Sequence, residues 1–429
     1  MPAAPAHTVQ IERTPYGIAH ITGATYEGLA YGTAYAYAQD NVCTLAQQLV
    51  TVRGERTLYF GPAATGLLGL RTLPNPQIDL FMRAHMDDAA LARANALLGP
   101  AAQAAVRGYI SGYNRYLKDA GPQGLPAECR GAPWVTPMTE ADWSRLTEAS
   151  MVLGGAAALG DAIVGAAPPA KTTGAAAPVA VTPQQAAAEL ARYGVGERGG
   201  EGGELGSNGW AFGRNATPDG SGLLLGNPHF PWVGINRFWQ VHLTIPGTLD
   251  VMGATAGASP IVSIGFNKDV AWTHTVSTGK RFTLYELTLD PSDPTTYLVD
   301  GKRKKMAARA ISIPVPAGAA TIQRTLYSTQ WGPVLVLPDA GLTWSATTAY
   351  AIADANTLNV RSLEAWMAMN RARNVADLRN ALAKQALPWP NTLPPDRACA
   401  AVHPHLPDLA SAHPAPLPAS PPAPHPATP

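Results

Sequence analysis

The first 153 residues carry the hydrophobic pattern of a mainly helical region that opens with two short strands. Apolar and polar residues alternate from His7 to Thr22 around a turn at Pro15-Tyr16-Gly17, which predicts a strand pair. From Tyr26 to about Val52 apolar side chains recur at helical spacing, and this predicts one long helix. The same spacing predicts one or two helices in residues 87–117 and another in residues 139–153.

Residues 154–206 lose this periodicity. They are rich in glycine and alanine, and Tyr193 is their one aromatic residue. Such a composition favours a mobile linker or a processed spacer over a packed element. A short helix at residues 183–193 is the one element that we predict within this segment.

From Ser207 the pattern becomes that of β-strands. Alternating or β-branched runs predict strands in residues 239–245, 260–266, 270–276, 297–301, 311–315 and 322–327. Helical spacing returns in residues 362–372 and 375–386. Helices, then many strands, then helices indicate an α+β fold of stacked layers and disfavour a doubly wound sheet.

Residues 394–429 do not continue this pattern. They contain 12 proline residues and 4 of the chain's 10 histidine residues, with no glycine and no aromatic residue. Such a segment cannot build a core and is predicted to be disordered or polyproline-like. A metal-binding tail is disfavoured because proline separates most of its imidazoles, which belong to His403, His405, His413 and His425. We interpret the tail as the product of a GC-rich gene read out of frame.

The composition narrows the classes of function. Lysine and arginine total 31 against 30 aspartate and glutamate residues, so the net charge of +1 gives no reason to expect a nucleic-acid partner. Hydrophobic residues make up 46% of the chain, enough for a sizeable core. No run of about 18 apolar residues predicts a membrane span. The start, MPAAPAH, has neither the basic nor the apolar region of a signal peptide.

The three cysteine residues leave one question open. Cys43, Cys129 and Cys399 fit no zinc or CxxC spacing. A disulfide between Cys43 and Cys129 is one interpretation, suited to an exported protein. Two buried free thiols are the other.

The strongest local candidate for chemistry is LGSNGWAFG at residues 205–213, where the spacer meets the β region. A serine after a glycine, here Gly206-Ser207, is a weak signal, and composition alone favours a loop that leads into the first strand. His229 in NPHFPW and His274 in AWTHTV lie among aromatic residues, and such histidine residues are more often structural than catalytic. No GxSxG, HExxH, P-loop or dinucleotide motif occurs in a fitting context.

Several motifs taken together resemble one known family. The segments GSNGWAFGRNATPDGSGLLLGNPHFPW, RFWQVHLTIPG, DVMGA and VAWTHTVST follow one another as in the penicillin acylase family of N-terminal nucleophile hydrolases. The segments YGIAHITG, AYAYAQDNVC and VTVRGERTLYFG resemble the small-subunit region of that family. Within the family the chain is most similar to the acyl-homoserine lactone and aculeacin A acylases, over about Val9 to Leu393. The resemblance implies a four-layer αββα sandwich, incomplete at the C-terminus.

The resemblance also implies a division of the chain. Residues 1–183 correspond to a mainly helical small-subunit region, 184–206 to a spacer removed on processing, 207–393 to the N-terminal part of the large subunit, and 394–429 to an aberrant tail. The mature form is then expected as a heterodimer of the two processed chains, in the periplasm or secreted. No cofactor is implied; calcium would follow only by analogy with the family, and no motif supports it.

By this resemblance the chain cuts itself between Gly206 and Ser207. The freed α-amine of Ser207, whose pKa is ordinarily about 7.7–8, can take the hydroxyl proton, so that one residue supplies nucleophile and base. The resemblance implies that His229 hydrogen-bonds and orients this amine. It also implies that the backbone N–H of Val276 forms half of the oxyanion hole.

Three aromatic residues match positions that line the acyl pocket of the family: Phe230, Trp366 and Trp389. Large apolar walls suit a fatty acyl chain, at about 0.8 kcal/mol per buried CH₂. The implied substrate is a long-chain N-acyl-homoserine lactone. The alternatives are a cyclic lipopeptide and the side-chain amide of a β-lactam.

The resemblance ends before the second oxyanion donor of the family. That donor is an asparagine side chain further downstream in the large subunit, whereas here the match breaks at Pro390 and LPPDRACAAVHPH follows. Losing one oxyanion donor lowers a rate by about 10²–10³-fold. We therefore expect the 429-residue chain itself to be inactive, and an inactive truncated fragment is the non-enzymatic alternative.

Overall fold

The computed structural model describes residues 8–169, 185, 206–277, 282–387 and 390–395. Its α-helices are α1 (Tyr26–Arg53), α2 (Arg56–Phe60), α3 (Asn75–His85), α4 (Asp88–Asn95), α5 (Pro100–Ala120), α6 (Glu140–Met151), α7 (Gly160–Gly165), α8 (Ser362–Asn370) and α9 (Val375–Leu382). Its strands are β1 (Val9–Arg13), β2 (Ala19–Gly23), β3 (Thr65–Leu68), β4 (Arg71–Pro74), β5 (Gly206–Phe212), β6 (Leu223–His229), β7 (Phe238–Ile245), β8 (Leu249–Ala256), β9 (Ile264–Phe266), β10 (Ala271–Val276), β11 (Phe282–Asp290), β12 (Asp293–Val299), β13 (Lys302–Lys305), β14 (Ala307–Ile313), β15 (Ile322–Ser328), β16 (Val334–Leu335), β17 (Thr348–Asp354) and β18 (Pro390–Leu393). The predicted α+β class is confirmed.

One sheet joins the regions before and after the spacer. Its seven strands lie in the order β1-β2-β7-β8-β9-β10-β18. Strands β2 and β7 run parallel, with Ala19 opposite Val241, and the other neighbouring pairs are antiparallel. A second sheet has the order β13-β12-β11-β17-β16, and β3–β4, β5–β6 and β14–β15 are separate hairpins. Because β2 precedes the spacer and β7 follows it, backbone hydrogen bonds hold the two regions together.

Helix α1 forms where the apolar spacing predicts it. It begins after Thr25, whose side chain accepts a hydrogen bond from the backbone N–H of Gly28 at 3.1 Å. It ends at Gly54, which adopts a left-handed conformation with φ 66°. Its apolar residues contribute to a core cluster that includes Leu45 of this helix and Trp272 of the seven-stranded sheet.

Helix α5 crosses α1 at backbone contact. A Cβ on Gly108 would lie 2.0 Å from the carbonyl oxygen of Glu27, and a Cβ on Gly112 would lie 2.1 Å from that of Tyr31. Both glycine residues are buried in α5. The crossing therefore requires residues without a side chain at these two positions.

The prediction of a mobile linker is wrong for its first residues, 156–165, which form packed elements. A 3₁₀ turn at Ala156–Leu159 and helix α7 are buried in the core beside the five-stranded sheet. A Cβ on Gly160 would lie 2.3 Å from Cδ2 of Leu68. Small residues are used here for close packing, and composition cannot distinguish that use from flexibility.

Two predicted features lie outside the described residues. They are residues 170–205 of the predicted spacer, with the helix at 183–193, where only Gln185 is described, and the tail at 394–429, apart from its first two residues. Within the described ranges no single helix is long and apolar enough to cross a membrane. Helix α6 and the segment Ala156–Gly165 meet that test only as a pair, with a bend of 82° between them.

Cys43 of α1 is bonded to Cys129 by a disulfide, with 5.5 Å between the two Cα atoms. The sequence left two interpretations open, a disulfide and two free thiols. The structure contains the disulfide. The bond connects residues 86 positions apart and fixes α1 to the loop that follows α5.

Replacing both cysteine residues, Cys43→Ala with Cys129→Ala, should lower the free energy of unfolding by about 2–5 kcal/mol, because the bond restricts a long loop in the unfolded chain. Denaturant unfolding of the oxidised protein and of the double variant measures the difference. A reductant is the control: it should lower the midpoint of wild type by a similar amount and leave that of the double variant unchanged. An unchanged midpoint in the double variant would show that the bond adds no stability.

Candidate active site

Ser207 and His229 lie at the same end of the hairpin β5–β6. Gly206 pairs with His229, and Ser207 pairs with Pro228. Ser207 is the second residue of β5, so the expectation of a loop at this position is wrong. The reason is that the apolar run before His229 supplies a partner strand over the whole length of β5. The strand fixes the position of Ser207 relative to the histidine.

The imidazole of His229 lies against the backbone of Gly206. A Cβ on Gly206 would lie 3.2 Å from Nδ1 of His229, so a side chain there would press on the ring. The side-chain amide of Asn227 donates to Nε2 of His229 at 3.2 Å. Nδ1 is therefore the ring atom of His229 that lies beside Gly206.

The hydroxyl of Ser207 donates a hydrogen bond to the carbonyl oxygen of Gly206. The nucleophile and the carbonyl group of the predicted scissile bond are thus in direct contact. This is the proximity that an attack of the hydroxyl on its own preceding carbonyl requires.

Two glycine residues let the hairpin lie close to the seven-stranded sheet. Gly209 and Gly226 are paired across β5 and β6. A Cβ on Gly226 would lie 2.6 Å from Oγ1 of Thr273, and a Cβ on Gly209 would lie 3.0 Å from Cγ2 of the same residue. The close approach brings Ser207 over β10, the strand that carries Val276.

Ser207 opens into a cavity of about 410 Å³. Four of the residues predicted from the family resemblance line it: Ser207, Phe230, Val276 and Trp366. The ring of Phe230 also contacts that of Phe238, with 5.5 Å between their centroids. Trp389 lies outside the described residues, and His229, the last residue of β6, is exposed and does not line the cavity.

One wall of the cavity comes from a helix face that the sequence analysis did not identify. Thr44, Gln47, Gln48 and Thr51 of α1 all line it. Their spacing of three to four residues places them on one side of the helix. A polar stripe on a helix that is otherwise buried is the signal by which they could have been found.

The cavity contains little charge. Of the described residues that line it, Arg56 and His274 carry ionisable side chains. The guanidinium of Arg56 donates to Oδ1 of Asn75 at 2.9 Å and to Oγ1 of Thr51 at 3.0 Å, and burial lowers its pKa. Because this cation is already hydrogen-bonded to the protein, the cavity suits an uncharged, largely apolar group.

His274 belongs to β10, and its ring is buried against Thr392 of β18 and Trp366 of α8. Its side chain is 8% exposed, and burial lowers its pKa to about 4, although the backbones of Asn391 and Ser263 oppose this shift. The indole N–H of Trp366 donates to Nε2 of His274 at 3.2 Å, and Oγ1 of Thr392 lies 3.0 Å from Nδ1. The ring is therefore neutral at pH 7 and hydrogen-bonded at both nitrogen atoms.

Val276 lies at the end of β10, where it pairs with Pro390 of β18. Its carbonyl oxygen accepts from the side-chain amide of Asn391 at 3.5 Å. Val276 thus stands at the cavity wall where β10 ends, near the hairpin that carries Ser207. Within the described ranges no group of three or more His, Cys, Asp or Glu side chains could hold a metal ion.

A sequence model of the family named penicillin amidase matches residues 8–423, past Leu393 and into the proline-rich tail. The acyl-homoserine lactone acylase PvdQ of Pseudomonas putida is 43% identical over 406 residues, which cover 94% of this chain and 51% of that protein. The aculeacin-A acylase of Actinoplanes utahensis is 39% identical over 398 residues, which cover 90% of this chain and 48% of that protein.

Among solved structures, the thermostable penicillin G acylase of Alcaligenes faecalis in its orthorhombic form is similar with a TM-score of 0.39 and 27% identity, over 46% of this chain and 35% of that chain. The chain spans about half the length of the curated relatives it matches. The residues matched by the family model include Ser207, His229 and all the described residues that line the cavity. The chain belongs to the penicillin amidase family.

Proposed function

We propose that the protein is an amidohydrolase that removes the acyl chain from N-acyl-homoserine lactones, and that it first cuts itself between Gly206 and Ser207. The observation that carries the proposal is the contact of the Ser207 hydroxyl with the Gly206 carbonyl at the mouth of a nearly uncharged cavity. The relative from Pseudomonas putida, which bears the name of such an acylase, supports the choice of substrate.

Maturation begins with an attack of the Ser207 hydroxyl oxygen on the carbonyl carbon of Gly206. The C–N bond breaks as the C–O bond forms, and the hydroxyl proton passes to the nitrogen. The peptide thus becomes an ester, and Ser207 gains a free amine. Water then hydrolyses the ester and leaves a carboxylate on Gly206. The imidazole of His229 lies beside Gly206, where it can hydrogen-bond to the groups that form.

The mature enzyme uses Ser207 twice. The α-amine takes the hydroxyl proton, directly or through water, while the oxygen attacks the amide carbonyl of the substrate. The backbone N–H of Val276 stabilises the oxyanion, and homoserine lactone leaves with the proton. Water hydrolyses the acyl ester of Ser207 and releases the fatty acid. His229 holds the amine in place throughout.

The mature form is a heterodimer of the chains before and after the cut, folded as a four-layer αββα sandwich. The pairing of β2 with β7 supports the heterodimer, because it joins the two chains through backbone hydrogen bonds. The disulfide between Cys43 and Cys129 supports an exported protein, since such bonds persist in oxidising compartments. The periplasm or secretion is therefore the proposed location.

In the protein extended by the C-terminal part that its longer relatives have, hydrolysis of dodecanoyl-homoserine lactone should yield dodecanoic acid and intact homoserine lactone. The value of kcat/KM should rise by up to about fourfold for each added methylene, from about 0.8 kcal/mol per CH₂, until the cavity is full. Mass spectrometry of the products and a series of acyl chains from butanoyl to dodecanoyl measure both. Ring-opened acyl-homoserine as the main product would contradict the acylase mechanism.

The second candidate substrate is the acyl chain of a cyclic lipopeptide. The observation that favours it is the similarity to the aculeacin-A acylase, whose coverage of this chain is nearly as high. Parallel assays with an acyl-homoserine lactone and a lipopeptide of the same acyl chain separate the two. A protein that is cut at Ser207 and hydrolyses neither substrate would contradict the proposed function.

A further inference from the structure

We infer that His274 is a positioning residue, which holds the indole of Trp366 as a wall of the acyl pocket and so sets the acyl-chain length that the cavity accepts. The inference rests on the proposed function, since it concerns the cavity beside Ser207. His274, Trp366 and Ser207 all line that cavity.

The hydrogen bonds of His274 define one arrangement of its ring. The indole N–H of Trp366 is a donor only, so Nε2 of His274 must accept its hydrogen bond. The proton of the neutral ring is then on Nδ1, which faces the hydroxyl oxygen of Thr392 at 3.0 Å. The two residues are also partners in the register of β10 and β18, which holds the hydroxyl in place.

The neutral state of the imidazole preserves this arrangement. A doubly protonated ring would donate at both nitrogen atoms, and the indole N–H would lose its acceptor. Burial keeps the pKa of His274 far below neutrality, so the ring stays neutral under assay conditions. A buried imidazole without charge also leaves the cavity suitable for an alkyl chain.

The orientation of the indole matters because Trp366 is half-buried at the cavity wall. The rings of His274 and Trp366 meet edge to face, with 6.4 Å between their centroids and 62° between their planes. A rotation of the indole about its side-chain bonds would change the space along that wall. The hydrogen bond to His274 opposes such a rotation, since a buried N–H without an acceptor is unfavourable.

His274 and Val276 lie two residues apart on β10, and so on the same face of the strand. The strand that carries the proposed oxyanion donor thus also carries the residue that holds the pocket wall. His274 contacts the indole rather than the reacting atoms. Its replacement should therefore alter the binding of long chains and leave the chemical step unchanged.

The test compares His274→Phe, which removes the acceptor, with His274→Gln, whose amide oxygen can accept from the indole. In His274→Phe, KM for dodecanoyl-homoserine lactone should rise about tenfold, the cost of one buried donor left without a partner. Its kcat should change less than its KM, and KM for hexanoyl-homoserine lactone should rise less than KM for the dodecanoyl substrate. His274→Gln should restore the preference for the long chain.

If His274→Phe does not fold, Thr392→Val is used as a second variant. It removes the hydroxyl that orients the imidazole and should raise the same KM in the same direction. Equal chain-length profiles for wild type, His274→Phe and Thr392→Val would overturn the inference. So would a fall of kcat for both chain lengths that His274→Gln does not rescue.

A readout without turnover separates this inference from the proposed function. Dodecanoate and hexanoate are titrated into wild type and His274→Phe, and the indole N–H resonance of Trp366, assigned by Trp366→Phe, is followed by nuclear magnetic resonance. A shifted resonance with weaker dodecanoate binding supports the inference even if no acyl-homoserine lactone is hydrolysed. An unshifted resonance with unchanged binding overturns it, whatever the activity.

Discussion

Ser207→Ala should leave the protein as one uncut chain with no acylase activity. The variant removes the oxygen that contacts the Gly206 carbonyl, so the ester that precedes cleavage cannot form. Without the cut there is no α-amine to act as base, and without the hydroxyl there is no nucleophile. The loss of turnover should be at least about 10⁴-fold. Denaturing electrophoresis and product analysis measure the two effects.

Ser221→Ala is the matched control for this loss. Ser221 lies in the connection between β5 and β6, and its hydroxyl donates to the carboxylate of Asp219 at 2.8 Å, away from the scissile bond. The control should mature as wild type does. Ser207→Cys should also be cut, because a thiol can make the same attack. Cleavage of Ser207→Ala at the same bond would show that another group is the nucleophile.

Gly112→Ala should destabilise the protein by about 3 kcal/mol or more, at the upper end of the range for overpacked positions. The new Cβ would lie 2.1 Å from the carbonyl oxygen of Tyr31, which belongs to the backbone of α1 and cannot rotate away. The helices α1 and α5 would have to separate. Because α1 also supplies a cavity wall, binding of long acyl chains should weaken in the folded fraction.

Gly165→Ala is the control. Gly165 also lies in a helix, α7, but a side chain there would contact no neighbouring backbone. A Cβ on Gly165 would meet no atom within 4 Å. That variant should be neutral or slightly stabilising, by up to about 1 kcal/mol. Thermal and denaturant unfolding of both variants measure the difference. Equal stability of Gly112→Ala and wild type would contradict the close crossing of α1 and α5.

The elements with a strong apolar period could be predicted from the sequence. Helix α1, the strand pair β1–β2 and the strands β7 and β10 form within a few residues of the predicted bounds. Their apolar side chains face one core, so the local pattern and the final burial agree.

Two of the strands that the sequence analysis missed contain small residues where a core strand usually has large ones. Strand β17 places Ala349 and Ala351 in a buried cluster with Trp344 and Tyr297. Strand β8 contains Gly253, where a Cβ would lie 2.1 Å from the carbonyl oxygen of Ile264 on the next strand. The residues at these positions must be small because of neighbours that are distant in the sequence. A local hydrophobic pattern contains no information about such neighbours.

The candidate site was predictable in its residue types and not in its geometry. The motifs around Ser207 and His229 could be matched to a family, but their proximity follows from the pairing of β5 with β6. The aromatic neighbours of His274 in the sequence indicate a structural histidine. Its contact with Trp366 joins β10 to α8, two elements far apart in the chain, and only the fold brings them together.

The central claim is that Ser207 becomes the N-terminal residue of a separate chain. Intact-mass measurement and N-terminal sequencing of the purified protein test it most directly. The account predicts two polypeptides, of which the second begins Ser207-Asn208-Gly209-Trp210, and predicts that Ser207→Ala remains one chain. A wild-type protein that folds and stays uncut, or that acquires a new N-terminus at any other residue, would contradict it.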